Sequence, residues 1–461
     1  MGATPAEQTK SLLGREKPVD VQPGSIWLWL ALLVASVFRQ WAYSVLASLY
    51  ALSPSDYDDK TSVRGATSLS SDEYAGIVYA YTIVAVTAMG ASGACTTLFG
   101  ARRTAVAGLG LQVAGCVTCG LSYGVVQLAA GTLVLSGGFG VFLTPAYSLV
   151  FGIERSGTRR VLATTTVQAA GNLGAAAASL SIVLAESFVG WRGTYFVIAA
   201  GLAASALLMV AAPDGGPRPP PTRAKPVSAV FGELRSAFGW IVEGRRFFGG
   251  ALAASMACGV AGTLEGTWIA TYFLDNYPYY SDLYSYLTAF VITVGIGVGF
   301  LLVAGYVVDR VVVAAPFGEP TLLVVPAVAL CLGAPCKLVA VIVNDDFPLA
   351  FVGEALGKAF DAFNEAPLYV ALQLASPKRH RPTVVGLYLF LYWVGAASLA
   401  EIVNTCLGLN MYQVLFVACS AQFAGGVCYG LVGCLEYPDA RVRADDATHA
   451  EGEDAEEDEP A

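Results

Sequence analysis

Apolar residues in this chain run in blocks longer than the core of an ordinary soluble domain requires. A helix needs about 20 largely apolar residues to cross a bilayer. Twelve such blocks stand out: 26–51, 74–97, 103–124, 127–152, 162–184, 193–212, 247–274, 284–308, 320–343, 348–374, 382–407 and 411–435. They predict an all-α membrane protein of twelve transmembrane helices. The longest hydrophilic break between them, 213–246, follows the sixth block and divides the chain six and six. The expected organisation is an N-terminal segment 1–25, a six-helix half 26–212, the linker 213–246, a second six-helix half 247–436 and a tail 437–461. The linker opens with Pro217, Pro219, Pro220 and Pro221, a composition that forbids helix and favours an extended chain. Beyond Pro226, the residues Val230, Leu234, Phe238 and Ile241 recur at helical spacing among Glu233, Arg235 and Glu243. That stretch predicts a helix lying on the membrane surface.

Composition sharpens this picture. Hydrophobic residues make up 56% of the chain and charged ones only 13%, against about 25% charged in a soluble domain. The 50 glycines suit helices that pack closely in lipid. The net charge of −9 belongs to the tail: 436–461 carries eleven acidic residues and two arginines, which leaves 24 acidic and 24 basic residues elsewhere. A neutral body offers no basic field for phosphates, so nucleic acid is not an expected partner. The tail itself reads as unstructured. Most of the ten cysteines lie in apolar blocks and read as small packing residues. Cys116 and Cys119 have no second pair and no neighbouring histidine, and only His380 and His449 occur, so neither a metal site nor an HExxH protease is expected. With no GxxxxGK[ST] phosphate loop and no Ser–His arrangement in the blocks, the chain reads as neither an enzyme nor a nucleotide-driven pump, and no cofactor is implied. Residues 1–25 are polar and lack the apolar core of a cleaved signal, so the first block is expected to direct its own insertion.

Loop charge gives the orientation. Basic residues collect in alternate loops: Arg102 and Arg103; Arg155, Arg159 and Arg160; Arg218, Arg223, Lys225, Arg245 and Arg246; Arg310; Lys378, Arg379 and Arg381. The opposite loops carry Asp56, Asp58, Asp59, Asp275, Asp282, Asp345 and Asp346. By the positive-inside rule both termini are cytoplasmic, and the alternation supports an even span count. The host membrane is left open between plasma membrane and endolysosome. Tyr277, Tyr279, Tyr280, Tyr284 and Tyr286, at the outer interface, read as an aromatic anchor belt.

Short motifs carry a family resemblance. Gly305-Tyr306-Val307-Val308-Asp309-Arg310, at the end of the eighth block, resembles the Gly-x-x-x-Asp-Arg signature of the major facilitator superfamily. The matching loop of the first half supplies Gly93, Arg102 and Arg103, with Thr97 where the family has Asp. Gly138-Phe139-Gly140 with Pro145, and Gly190-Trp191-Arg192, are similar to further family patterns. Within the superfamily, Gly353-Glu354 through Asn364 and then Pro377-Lys378-Arg379 resemble Spinster-like lipid transporters. Arg39 falls where those proteins carry an Asp-Arg pair, with Phe38 in place of the Asp. The resemblance implies a transporter with two packed halves and a central cavity lined by the first, fourth, seventh and tenth spans.

Charges inside the blocks mark candidate site residues, because each costs about 2.5–3.5 kcal/mol near the bilayer centre. The tenth block holds Glu354, Lys358, Asp361 and Glu365, whose steps of four, three and four place them on one helical face. Glu354 and Lys358 are spaced to neutralise each other. Asp361 or Glu365 then needs another cation, and Pro367 is placed to break the helix. Arg39 in the first block and Glu265 in the seventh are the other deep charges, and Arg39 is expected to meet a tenth-span carboxylate or an anionic substrate. The expected function is secondary transport of a small organic anion or lipid-like molecule by alternating access, with protons as candidate coupling ions and membrane lipids as surroundings. The rival is a sensor or scaffold of the same fold that does not transport.

Overall fold

The computed structural model describes residues 23–50, 63–153, 159–212, 226–280, 284, 288–315, 318–343 and 345–457. Among these residues the regular structure is entirely helical. The N-terminal helices are α1 (Pro23–Tyr50), α2 (Ser71–Phe99), α3 (Ala101–Gly120), α4 (Val125–Ile153), α5 (Arg160–Leu184) and α6 (Gly190–Ala211). The next, α7 (Pro226–Glu243), has Pro at its first position, where the missing N–H costs nothing. Then come α8 (Arg245–Asn276), α9 (Leu301–Ala314, preceded by a π-helical stretch Thr288–Phe300), α10 (Thr321–Ile342), α11 (Phe347–Asp361), α12 (Glu365–Leu374), α13 (Arg381–Glu401), α14 (Met411–Leu435) and α15 (Tyr437–Glu457).

Nine helices among the described residues are long and apolar enough to cross a membrane. Three of the twelve predicted blocks fall outside that group for legible reasons. Helices α3 and α5 are rich in Gly, Ala and Thr, and the tenth block is split into α11 and α12. The split lies one turn before the expected position. The helix stops at Asp361, tightens through bonds from Phe363 N to Phe360 O and from Asn364 N to Asp361 O, and restarts at Glu365. Pro367 thus sits in the first turn of α12, where no donor is required of it, and the residues before it yield because its ring would clash with a helical carbonyl four positions back.

The chain forms two compact units. One takes Val21–Ile153 and Thr166–Leu234; the other takes Glu154–Thr165 and Arg235–Ala461. In the first unit α4 packs on α2 and α3, and α6 packs on α1 and α3. The α3–α4 approach depends on glycine: a Cβ at Gly115 would stand 2.5 Å from the Leu135 backbone nitrogen, and one at Gly138 would stand 2.6 Å from the Gly108 carbonyl. Gly100 turns the chain between α2 and α3 at φ 90°, a conformation L side chains rarely adopt. In the second unit α8 packs on α13 and α14, and α10 packs on α11 and α14.

Two expectations change. The tail is helical over Tyr437–Glu457. Its first turns are held to the second unit: Tyr437 is buried, and Arg441 donates from Nε to Glu319 Oε2 at 2.9 Å and from Nη1 to the Leu374 carbonyl at 3.4 Å. The outer tyrosines do not form one belt. Tyr277 and Tyr284 are buried with Tyr272, Phe273, Phe347 and Phe351, whereas Tyr279 is 96% exposed. Pro278 turns the chain between them. Tyr286 lies outside the described residues. Along α7, Phe231, Phe238 and Val242 are all exposed, an apolar stripe suited to a surface helix.

Candidate functional site

The charged residues of the second unit converge on a lysine. Lys337 is the single charge in α10, and Pro335 precedes it by two residues. Its stem crosses α11 at Gly357, where a Cβ would collide with the Lys337 side chain. Gly353 admits the same helix, since its Cβ would lie 2.7 Å from the Cys336 carbonyl. These two glycines bring α10 and α11 close enough for the ammonium to reach both Glu265 of α8 and Asp361 at the end of α11, each at 2.5 Å. Lys358 closes on the other oxygen of Glu265. Glu354, 1% exposed, is buried beside this group, and its Oε2 has no hydrogen-bond partner among the described residues.

This differs from the intrahelical pairing that spacing suggested. Lys358 does not pair with Glu354; it reaches across to α8 and takes the oxygen of Glu265 that Lys337 leaves open. Asp361 does find another cation, Lys337, in a block whose one charge the sequence reading did not single out. The available signal was a lone lysine inside an apolar block. Glu365 stands apart: past the break it opens α12, where a carboxylate suits the positive end of the helix dipole. It is exposed beside a small pocket with Ser255, Asn364, Tyr388, Tyr392 and Tyr429. There Ser255 Oγ bridges the Tyr388 and Tyr429 hydroxyls at 2.5 and 2.6 Å.

In the first unit Arg39 is 7% exposed. Glycines of α5 let α1 close in: a Cβ at Gly174 would overlap the Val37 carbonyl, and one at Gly171 would stand 3.4 Å from Arg39 Nη2. Phe38 turns instead toward Gly201 of α6, which explains an aromatic residue beside the arginine. The Arg39 guanidinium lies 4.5 Å from the Phe139 ring centroid and 6.0 Å from that of Phe142. Nη2 donates to Gln40 Oε1 at 3.1 Å, while Nε and Nη1 have no hydrogen-bond partner among the described residues. Among the described residues of its own unit the cation therefore meets π faces and one amide but no carboxylate.

The loop motif residues play distinct parts. Asp309 accepts from Val161 N at 3.1 Å and Leu162 N at 2.8 Å, so it caps the first turn of α5 from another helix. Gly305 makes room for this, since a Cβ there would stand 3.0 Å from Leu162 Cα. Arg310 lies over Tyr306 with Nε donating to its hydroxyl. Arg102 donates to the carbonyls of Met209, Val210 and Ala212, a cation at the negative end of α6. Thr97 bonds back to the Gly93 carbonyl, and Arg103 is exposed. Replacing Asp309 with Ala is expected to lower stability by about 0.5–2 kcal/mol, the usual cost of a lost cap. Thermal denaturation in detergent reads this directly, and an unchanged midpoint would remove the capping role.

The model of the Major Facilitator Superfamily matches residues 24–400. No curated protein is matched by the chain's sequence. Among solved structures, the Major Facilitator Superfamily transporter FucP in its outward conformation superposes with a TM-score of 0.64 at 13% identity, covering 87% of this chain and 98% of that one. The human organic anion transporter MFSD10 (TETRAN) superposes with a TM-score of 0.63 at 14% identity, covering 90% of this chain and 100% of that one. Identities this low speak to fold.

Proposed function

The chain belongs to the major facilitator superfamily, and from that premise we propose that this membrane transporter carries a small organic anion by alternating access, with both termini cytoplasmic. The observation that carries the reading is Arg39, a buried cation whose Nε and Nη1 have no partner among the described residues. Burial strips water from a charge, so such a group is stable only with a counter-charge near it. A bound anionic solute would supply that charge. The Phe139 and Phe142 rings beside it would hold the apolar body of the solute. The human neighbour bears the description organic anion transporter, which agrees in class with this site. Proton coupling belongs to the same reading, because the second unit groups three carboxylates with two lysines.

Purified protein in proteoliposomes tests the proposal. Labelled mono- and dicarboxylates and an anionic lipid are compared with their neutral amides or esters. The expected result is net uptake of anions over their neutral analogues. Equal entry of the neutral compounds would overturn the anion assignment, and binding without flux would favour a sensor of the same fold.

A further inference from the structure

We propose that the tyrosine-lined pocket of the second unit binds an ammonium group, which makes the transported anion a zwitterion of the amino-acid class. This deepens the transport assignment above and rests on it for the anionic half alone. The pocket lies where the chain breaks after Asp361 and restarts as α12, so Asn364 and Glu365 line it together with residues of α8, α13 and α14. Glu365 supplies its charge. An exposed carboxylate in a spanning block faces water inside the bundle, because facing lipid would be too costly.

The hydrogens of the hydroxyl chain decide what the pocket can take. Tyr388 has one hydroxyl hydrogen and donates it to the Ala251 carbonyl at 2.8 Å. The hydrogen between Tyr388 and Ser255, 2.5 Å apart, therefore belongs to Ser255. Ser255 then has none left for Tyr429 at 2.6 Å, so Tyr429 donates to Ser255. Every hydrogen of the chain is committed, and Tyr429 Oη can meet a ligand only as an acceptor. Asn364 Oδ1 is a second acceptor, buried and without a hydrogen-bond partner among the described residues. The Glu365 carboxylate is a third. Three acceptors and one negative charge match the three N–H donors and single positive charge of a primary ammonium. A carboxylate or phosphate group brings negative charge and would find no donor among these three.

Size and walls agree with this choice. Room for the centre of a water-sized group amounts to about 10 Å³, close to the least that holds one water. An ammonium head is of that size. Tyr369 and Tyr392 add aromatic wall, and aromatic rings attract organic cations.

Unfolding of the purified full-length protein in detergent tests the pocket without reference to transport. Methylammonium chloride is compared with sodium chloride at the same concentration and is expected to raise the wild-type midpoint above the sodium control. Glu365→Gln keeps the shape and removes the charge. It should weaken methylammonium binding at least about tenfold, the scale of one hydrogen bond to a charged group. Adding Asn364→Asp to that variant returns the charge one residue away and should restore binding, which a merely structural role would not do. In proteoliposomes, labelled leucine, glutamate and phenylalanine are compared with their N-acetyl derivatives, which keep the carboxylate and lose the ammonium. Uptake of a free amino acid above its N-acetyl form is expected. No midpoint shift, an equal shift by sodium, an undiminished shift in Glu365→Gln, or N-acetyl derivatives entering as fast as their parents would overturn the proposal. If methylammonium behaves as expected but no compound of either kind enters, the transport reading fails and the ammonium site stands.

Discussion

Replacing Lys337 by methionine is expected to abolish transport and to destabilise the protein by about 3–5 kcal/mol, the typical cost of removing one partner from a buried ion pair. The magnitude follows from what remains. Methionine preserves the stem that lies against Gly357, so packing is little changed. Asp361 loses its salt bridge and Glu265 loses one of two. Three carboxyls then share the single charge of Lys358, and water scarcely reaches Glu265 and Glu354 to compensate. Thermal unfolding in detergent should show the loss, as should the folded fraction by size exclusion. Adding Asp361→Asn removes the surplus charge and should recover part of the stability, although not the function. A Lys337→Met protein as stable and active as the wild type would show that the cluster contributes nothing at Lys337.

Arg39→Gln is expected to have the opposite sign in stability and an effect on function as severe. Truncating one member of a buried charge pair costs about 2–5 kcal/mol in binding, or roughly 30- to 3,000-fold in affinity at 1.4 kcal/mol per tenfold. Uptake of the anionic solute should fall accordingly. Without the solute, however, Arg39 is a buried cation with two nitrogens unpartnered among the described residues, so a neutral amide of similar reach should leave the unfolding midpoint unchanged or raise it. A site residue that destabilises the empty protein is the pattern expected when the missing counter-charge arrives with the ligand. If Arg39→Gln unfolds earlier and transports normally, the arginine has a structural counter-charge and the anion site lies elsewhere.

Much of the fold was legible because lipid imposes one rule: a spanning segment must satisfy its own backbone and present apolar side chains. Hence the blocks around α1, α4 and α14 could be marked from hydropathy alone. The helices α3 and α5 were found as blocks although glycine, alanine and threonine make them barely apolar. The deep charges were visible singly, because a glutamate in an apolar block stands out. Their pairing was not. Spacing along α11 joins Glu354 to Lys358, but the contact that forms runs from Lys358 to Glu265, 93 positions away in sequence. Which helix faces which is set by where glycines permit close approach, and Gly353 and Gly357 do not announce whose side chain they admit. The helical tail was missed for a related reason. Its acidic composition opposes folding in isolation, and the tie from Arg441 to Glu319, in the turn before α10, holds its first turns in place.

That tie has a practical corollary. Only Glu436 separates α14 from α15, and the 21-residue α15 is about 30 Å long at 1.5 Å per residue. A rod of that length, anchored at its base, is a pointer. A tilt of about 10° at its root would carry the tip roughly 5 Å, given that rise per residue. A fluorophore attached near residue 457 would amplify small rotations of the second unit into distances that energy transfer can resolve, whereas the same dye on a short loop would barely register them.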